Sequence, residues 1–269
     1  MTTKKSIKQY VFATYLIFIV LLLLTGIVLL LSDNQLLIGI LKNVCSFAPT
    51  FSLLLLFPRL GLGKSRKEFF LSLFREKINL PNLLPYTALQ IILFVISVIS
   101  LKIFNGIEIF ETLNFSVGLL ILAIVNSLTS GATGEEAGWR GFLHSYFVPK
   151  YGIIQGSFFI GVIWGFWHAP LWFISGEYTG LNLVKYIIFF LCFIISTAII
   201  IGFAYEKNKN LMVPMALHFT VNFTMAFVNN KFLLDLLLYL AIFYVIATVV
   251  LIKIMLKKSS TSGSRHVII

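Results

Sequence analysis

The chain has 269 residues, of which 59% are hydrophobic and only 12% are charged, and its mean hydropathy is +0.97. Soluble domains are about 45–50% apolar and about a quarter charged, so this composition excludes a soluble enzyme and indicates an integral membrane protein. The net charge of +11 does not indicate a nucleic-acid partner, because the basic residues lie between apolar spans, as they do in membrane topology.

Apolar runs long enough to cross a bilayer recur along the chain. The first, 11–31, is too long for a signal-peptide core, so we expect it to be retained as a transmembrane helix. The sequence predicts an all-α fold of about eight spans, at 11–31, 35–57, 85–104, 115–135, 153–174, 183–204, 211–229 and 232–256. We expect one integral-membrane domain over 1–256 and a polar, disordered cytoplasmic tail over 257–269.

Positive charge marks alternate loops of this predicted topology. The basic stretches are 4–8, 59–77, 140–150, 207–209 and 253–265, and the acidic residues of the other loops are Asp33, Glu108, Glu111, Glu177 and Asp235. Because positive loops stay inside, we expect a multi-pass protein of a bacterial cell membrane with both termini cytoplasmic. Cys45 and Cys192 fall inside apolar spans and are expected to be buried hydrophobes, with neither disulfide nor metal-ligand spacing.

One stretch of the apolar sequence concentrates ionisable residues. Glu135, Glu136 and Arg140 lie where charge is costly and usually faces an interior cavity. Glu136 and Arg140 are four apart and are expected to pair, which leaves Glu135 without a charged partner. Trp139 is expected to wall the cavity and keep Glu135 dry, and an unpaired carboxylate in such a place suits a general base. The alternative is a structural ion cluster at a helix end.

The spacing around a predicted turn places a histidine near Glu135. A proline and a glycine at 149–152 predict a turn between spans four and five. Glu135 lies 14 residues before Pro149, and His168 lies 16 residues after Gly152. At about 1.5 Å per residue both are roughly 21–24 Å from the turn, so an antiparallel hairpin brings them to the same level.

A second histidine lies on span seven, about 12 Å from the predicted cytoplasmic side. His218 and Asn222 are four residues apart and share one helix face. The residues on spans four, five and seven allow hydrolysis of an amide bond. Glu135, assisted by His168, activates a water, and His218 and Asn222 donate hydrogen bonds to the oxyanion.

The same groups allow two other interpretations. Glu135, His168 and His218 are also a ligand set for a divalent metal such as zinc with an open position, and the sequence does not decide between the two uses. No other cofactor is expected. Taken alone, His218 and Asn222 are equally well explained by hydrogen bonds between transmembrane helices.

At these residues the sequence resembles the CAAX-protease and bacteriocin-processing family of intramembrane endopeptidases, also called the Abi or Rce1-like family. Three motifs carry the resemblance, in the order Glu135-Glu136-x-x-x-Arg140, Trp164-x-x-x-His168 and His218-x-x-x-Asn222. They cover about 115–225, and Trp164 stands where the family usually has Phe. Each motif alone is weak, but the ordered set on separate spans is specific.

The resemblance implies an activity and a kind of substrate. It implies that Glu135 with His168 activates a water for attack on a peptide bond, in a cavity open towards the cytoplasm, and that His218 and Asn222 stabilise the oxyanion. Glu136, Arg140, Trp139 and Trp164 are then supporting residues. The implied substrate is a membrane-associated protein or peptide, either a prenylated CAAX terminus or a bacteriocin or leader peptide, met in the lipid bilayer. Participation of a metal is left open.

A non-enzymatic membrane protein is the rival class. It would be either a proton-coupled transporter or an immunity protein that binds its toxin without cutting it. Many transporters have inverted repeats and helices broken at the midplane of both halves, and the sequence has neither feature. A protein that only binds has no use for an oxyanion pair opposite a base.

Overall fold

The computed structural model describes residues 2–174 and 176–262. Within these residues the chain is helical apart from short connections and one isolated antiparallel bridge between Leu113 and Val228, so the predicted all-α class is confirmed. The α-helices in chain order are α1 Lys4–Leu31, α2 Gln35–Cys45, α3 Ala48–Leu56, α4 Arg66–Leu73, α5 Leu80–Asn105, α6 Ile109–Thr112, α7 Val117–Ser127, α8 His144–Trp167, α9 Ala169–Ile174, α10 Gly180–Asn208, α11 Met212–Met225 and α12 Leu233–Ser262.

Five helical segments of the described chain are long and apolar enough to cross a membrane, and α2 with α3, bent by 54°, makes a sixth. One of the five, Val117–Ile174, covers 58 residues and contains both predicted spans four and five. Predicted span seven corresponds to α11, whose 14 residues are fewer than the roughly 20 that a bilayer requires. The protein is therefore a polytopic membrane protein, while the count of eight spans stays a prediction.

The last helix extends into the range predicted to be a disordered tail. It runs to Ser262, so residues 257–262 continue α12. Residues 263–269, which include His266, lie outside the described residues.

The predicted hairpin between spans four and five is present. α8 breaks at Gly152, whose φ of 77° and ψ of 168° are not helical. A Cβ on Gly156 would lie 2.9 Å from the Cα of Val148, although eight residues of straight helix span about 12 Å. The chain therefore reverses direction at Gly152 and packs back on itself.

The segment before this hairpin is irregular. Two π-helical stretches, Leu128–Ala132 and Ala137–Leu143, follow α7, and the first is interrupted by non-helical backbone at Ser130 and Gly131. Wide helical turns of this kind occur mostly at functional sites. The residues between and within them include Glu135, Glu136 and Arg140.

Small residues fix the second half of α8 against α10. A Cβ on Gly161 would lie 2.9 Å from the Ala198 Cβ, and one on Gly165 would lie 2.7 Å from Leu191. Glycines four residues apart let two helix backbones approach closely, which is how many transmembrane helices associate. This close contact fixes the position along α10 at which Trp164 and His168 lie.

The basic loop 59–77, which is predicted to lie on the cytoplasmic side, holds the start of α11. Ser65 and Glu68 form a reciprocal capping box at the start of α4, and the hydrogen bond from the Ser65 backbone N–H lowers the pKa of the Glu68 carboxyl. The Leu211 N–H donates to the Leu73 carbonyl at 2.8 Å, and the Asn210 amide donates to the Phe74 carbonyl at 3.2 Å. These bonds position the helix that carries His218.

Candidate active site

Glu135 is held by two tryptophan side chains. It is only 4% exposed, and its Oε2 accepts hydrogen bonds from Trp139 Nε1 at 2.9 Å and from Trp164 Nε1 at 2.6 Å. Among the described residues its other oxygen, Oε1, accepts no hydrogen bond, and Glu135 lines a cavity that His168, His218 and Asn222 also line. The prediction that Glu135 has no ion pair fits this geometry, but the carboxylate does have two neutral donors.

Glu136 links an arginine and a histidine side chain. Its Oε1 accepts from Arg140 at 2.8 Å, which confirms the predicted ion pair, and from His218 Nδ1 at 2.7 Å. Glu136 and Arg140 are 0% and 1% exposed, and the guanidinium lies 4.7 Å from the centre of the Trp164 ring. Removal of either side chain would leave a buried charge uncompensated and would therefore destabilise the protein.

His168 is fixed as a particular tautomer. Its Nδ1 lies 2.8 Å from the backbone carbonyl of Trp164. A carbonyl oxygen only accepts, so Nδ1 carries a proton and, in the neutral ring, Nε2 keeps its lone pair. His168 lines the same cavity as Glu135, so Nε2 is an acceptor for a ligand or water there.

His218 and Asn222 converge on the space above Gly131. A Cβ built on Gly131 would lie 2.8 Å from His218 Nε2 and 2.9 Å from Asn222 Nδ2. Asn222 Nδ2 also donates to the Ser130 carbonyl at 3.0 Å, which fixes the amide with its NH₂ towards this space and leaves its second hydrogen free. Both nitrogens therefore lie close to Gly131 on the same side of the cavity.

The cavity that contains these groups has a volume of about 490 Å³, within the usual size of small-ligand sites. It is lined by Glu135, His168, His218 and Asn222 and by the C-terminal half of α1, from Phe18 to Leu29. Ile174, the last residue of α9, also lines it. The cavity therefore extends towards the end of the bundle where α1 and α9 end.

The end of the bundle towards which the cavity extends brings two expectations from the sequence into conflict. The positive-inside rule places the loops after α1 and α9 on the outer side, whereas the family resemblance implies a cavity open towards the cytoplasm. Both cannot hold if the cavity opens where α1 and α9 end. The side of the membrane on which each loop lies therefore has to be measured.

The residues proposed as zinc ligands do not form a ligand set in this arrangement. Within the part of the chain that the structure describes, no three His, Cys, Asp or Glu side chains are grouped closely enough to hold a metal ion. We therefore derive no step through a metal.

Sequence reasoning missed the backbone that positions these side chains. The Thr50 hydroxyl donates to the Gly134 carbonyl at 2.6 Å, and Asn222 holds Ser130, so both sides of the 130–134 loop are fixed from remote helices. The hydrogen bonds of Trp139 and Trp164 to Glu135 were also not foreseen. The available signal was the presence of two tryptophans in the motifs, since a buried indole N–H needs an acceptor.

We expect Trp164→Phe to destabilise the protein more than Trp172→Phe. Both tryptophans are buried, but within the described residues Trp172 Nε1 has no hydrogen-bond partner, whereas Trp164 donates to a carboxylate. A hydrogen bond to a charged group contributes about 1.5–3 kcal/mol, so the two free energies of unfolding should differ by about that amount. Reversible unfolding in detergent measures this difference, and equal losses in the two variants would contradict the assigned bond.

Fold and site together define a class: a polytopic, all-helical membrane protein whose interior cavity joins a carboxylate, two histidines and an amide. A sequence model of the type II CAAX prenyl endopeptidase Rce1-like family matches residues 113–224. The chain is also 26% identical over 170 residues to CAAX prenyl protease 2 of Methanococcus maripaludis.

These comparisons confirm the resemblance drawn from the three motifs. The matched part includes Glu135, His168, His218 and Asn222. The alignment to the archaeal protein covers 58% of this chain and 60% of that protein, so the activity of the whole protein is a matter for proposal.

Proposed function

We propose that this protein is an intramembrane endopeptidase that hydrolyses a peptide bond of a membrane-associated substrate. The observation that carries the proposal is the arrangement around one cavity of an unbonded carboxylate oxygen on Glu135, an acceptor on His168, and two nitrogens that converge beside Gly131. Hydrolysis needs a base and an oxyanion pair at one cavity, and ligand binding alone does not. The similarity to CAAX prenyl endopeptidases supports the same class.

In the proposed reaction, Glu135 Oε1 removes a proton from a water that also donates to His168 Nε2. The hydroxide attacks the carbonyl carbon, and the carbonyl electrons move to oxygen, which lies between His218 Nε2 and Asn222 Nδ2. Collapse of this intermediate breaks the C–N bond, and Glu135 returns its proton to the leaving amine. The products are an amine and a carboxylic acid, which ionises on release by giving its proton to the amine or to water, and Glu135 is regenerated as a carboxylate.

The charge state of His218 follows from its neighbours. Its Nδ1 faces Glu136, which already accepts from Arg140, so Nδ1 carries a proton. To donate from Nε2 as well, the ring must be an imidazolium. Two cations, Arg140 and His218, then balance the two buried carboxylates, Glu135 and Glu136, and the apolar interior favours this neutral total.

We expect Asn222→Ala to lower kcat by about 10²–10³, the usual cost of removing one oxyanion donor. The variant also releases Ser130, so some loss of stability is expected beside the loss of rate. Asn230→Ala is the control, because Asn230 is exposed and, among the described residues, its side chain hydrogen-bonds to Glu177, away from the cavity. Rates are measured on one peptide at saturating concentration, and an unchanged kcat would contradict the oxyanion role.

Cleavage by the reconstituted protein tests the proposed function directly. A library of lipidated and unlipidated C-terminal peptides is incubated with vesicles in ¹⁸O-water, with and without a chelator, and the products are read by mass spectrometry. Hydrolysis places one ¹⁸O atom in the new carboxylate. Loss of activity with the chelator would require a metal step, and binding of peptides without any cleavage would favour a non-enzymatic protein.

We propose further that both termini are cytoplasmic, and surface labelling tests this. In a background without Cys45 and Cys192, Asn34→Cys should react with an impermeant thiol reagent in intact cells. Ser65→Cys should react only after the membrane is permeabilised, because it lies in the basic loop. The opposite pattern would reverse the orientation and place the end of the bundle near Leu29 in the cytoplasm.

A further inference from the structure

Lys42 is an ionisable side chain in an apolar part of the chain that the proposed mechanism does not use. It lies in the last turn of α2, and α2 and α3 together are long and apolar enough to cross a membrane. A charged side chain at membrane depth is costly and usually faces an interior cavity or a pathway for substrate or ions. The position of Lys42 therefore indicates a function.

The cavity of the candidate active site is the space that Lys42 faces. Lys42 lines the cavity of about 490 Å³ that is also lined by Glu135, His168, His218 and Asn222. Among the described residues that line this cavity, Lys42 is the one lysine or arginine. Its ammonium forms no hydrogen bond or ion pair with any described residue. The cavity thus contains a cation with three N–H donors available to a bound molecule.

The end of α2 packs against the loop that precedes Glu135. A Cβ built on Gly134 would lie 2.9 Å from both the carbonyl oxygen and the hydroxyl oxygen of Ser46. Lys42 precedes Ser46 by four residues, which is about 6 Å along a helix axis, in the direction of the start of α2. A peptide with its scissile bond at Glu135 can therefore extend along the cavity and present a charged group to Lys42.

The charges around the cavity leave Lys42 uncompensated. In the proposed reaction the guanidinium of Arg140 and the imidazolium of His218 balance the two buried carboxylates, so the catalytic groups have no net charge. Lys42 adds one positive charge, and no described residue that lines the cavity pairs with it. A bound carboxylate would neutralise this charge and accept a charge-assisted hydrogen bond from the ammonium.

We propose that Lys42 is a specificity-determining residue that binds a carboxylate of the substrate while the scissile bond lies at Glu135. The inference rests on the proposed function. Two groups of a peptide supply this chemistry, the C-terminal carboxylate and the side chain of an aspartate or glutamate near the cleaved bond. The substrate class is thus a peptide that carries a negative charge within a few residues of that bond.

Four peptides of one sequence distinguish the two sources of the carboxylate. They carry a free C-terminal carboxylate, a C-terminal amide, the amide with one internal Glu, or the amide with one internal Gln. KM and kcat are measured in phosphatidylcholine vesicles, which have no net charge. One acidic peptide should have a KM about tenfold or more below that of its neutral partner, because hydrogen bonds between charged groups are strong. Its kcat should be unchanged, because Lys42 binds substrate and transition state alike.

Variants of Lys42 test whether this residue is the origin of the preference. Lys42→Met should raise the KM of the preferred acidic peptide about tenfold and leave the KM of its neutral partner unchanged. Lys42→Arg keeps the charge and should keep the preference. Lys185→Met is the matched control, because Lys185 is an exposed lysine of α10 that does not line the cavity. Comparison of variants on the same peptide cancels differences in how the peptides partition into the vesicles.

Two results would contradict the role of Lys42 while the peptidase activity stands. One is a wild type that does not distinguish acidic from neutral peptides. The other is a preference that persists in Lys42→Met, as expected for a lysine that only stabilises the carbonyl end of α2.

A binding measurement tests Lys42 if no peptide is cleaved, an outcome that would count against the proposed function alone. The four peptides then displace a fluorescent C-terminal peptide from the wild type, Lys42→Met and Lys185→Met in the same vesicles. A tenfold or greater preference for an acidic peptide, lost only in Lys42→Met, supports the carboxylate site, and the preferred acid identifies the source. Equal affinities of acidic and neutral peptides for the wild type would overturn it.

Discussion

Glu135→Gln should abolish cleavage and leave the protein folded. Glutamine keeps an oxygen that accepts from Trp139 and Trp164, so the indole hydrogen bonds persist. It replaces the cavity-facing oxygen with an amide that cannot take a proton from water. A general base contributes about 10²–10⁴ in rate, so activity should fall by at least that factor. The rate is measured by product formation and the fold by the thermal midpoint.

Two further variants show whether the loss of cleavage in Glu135→Gln is specific to the proposed base. Glu111→Gln removes an exposed carboxylate outside the site and should change neither rate nor midpoint. Glu136→Gln removes the charge that Arg140 and His218 share, so it should lower both stability and rate, unlike Glu135→Gln. If Glu135→Gln cleaves a peptide substrate as fast as the wild type does, the proposed role of Glu135 as general base is wrong.

Gly131→Ala should cost nearly as much activity as removal of an oxyanion donor, about 10²–10³. The added methyl would lie within 2.9 Å of both His218 Nε2 and Asn222 Nδ2, so these nitrogens must move apart or the methyl occupies the space for the oxyanion. The backbone at Gly131, with φ 85° and ψ −71°, also lies in a γ-turn region that alanine adopts only with strain. Rate and binding of an uncleaved peptide are measured separately.

Alanine variants of two other glycines distinguish the effect of backbone strain from the effect of a methyl group that fills the space beside His218 and Asn222. Gly106 has φ 71° and open space around its Cβ position, so Gly106→Ala reports strain alone, about 1–2 kcal/mol. Gly118 also has open space and lies in a helix, where alanine is favoured. Both variants should retain activity. If Gly131→Ala loses no more activity than Gly106→Ala, the donors do not need the space beside Gly131.

The sequence was sufficient where local pattern and local geometry decide the outcome. The all-α class was predicted from the long apolar runs. A backbone that crosses a lipid bilayer must satisfy its own hydrogen bonds, and a helix does so within one segment. The Glu136–Arg140 pair follows from a separation of four residues on one helical face, and the hairpin follows from Pro149 and Gly152. The set of Glu135, His168, His218 and Asn222 was found because polar residues are rare in this apolar chain.

Tertiary structure decided everything that depends on contacts between distant segments. No pattern in the sequence shows that Glu136 joins Arg140 to His218, 82 residues away, or that Glu135 receives an indole from Trp164. A glycine at 131 permits the positive φ of the break locally, but no sequence pattern shows that Asn222, 92 residues away, donates to the carbonyl of Ser130. Periodicity fixes which face of a helix a residue occupies, but the packing of helices against one another determines which faces meet.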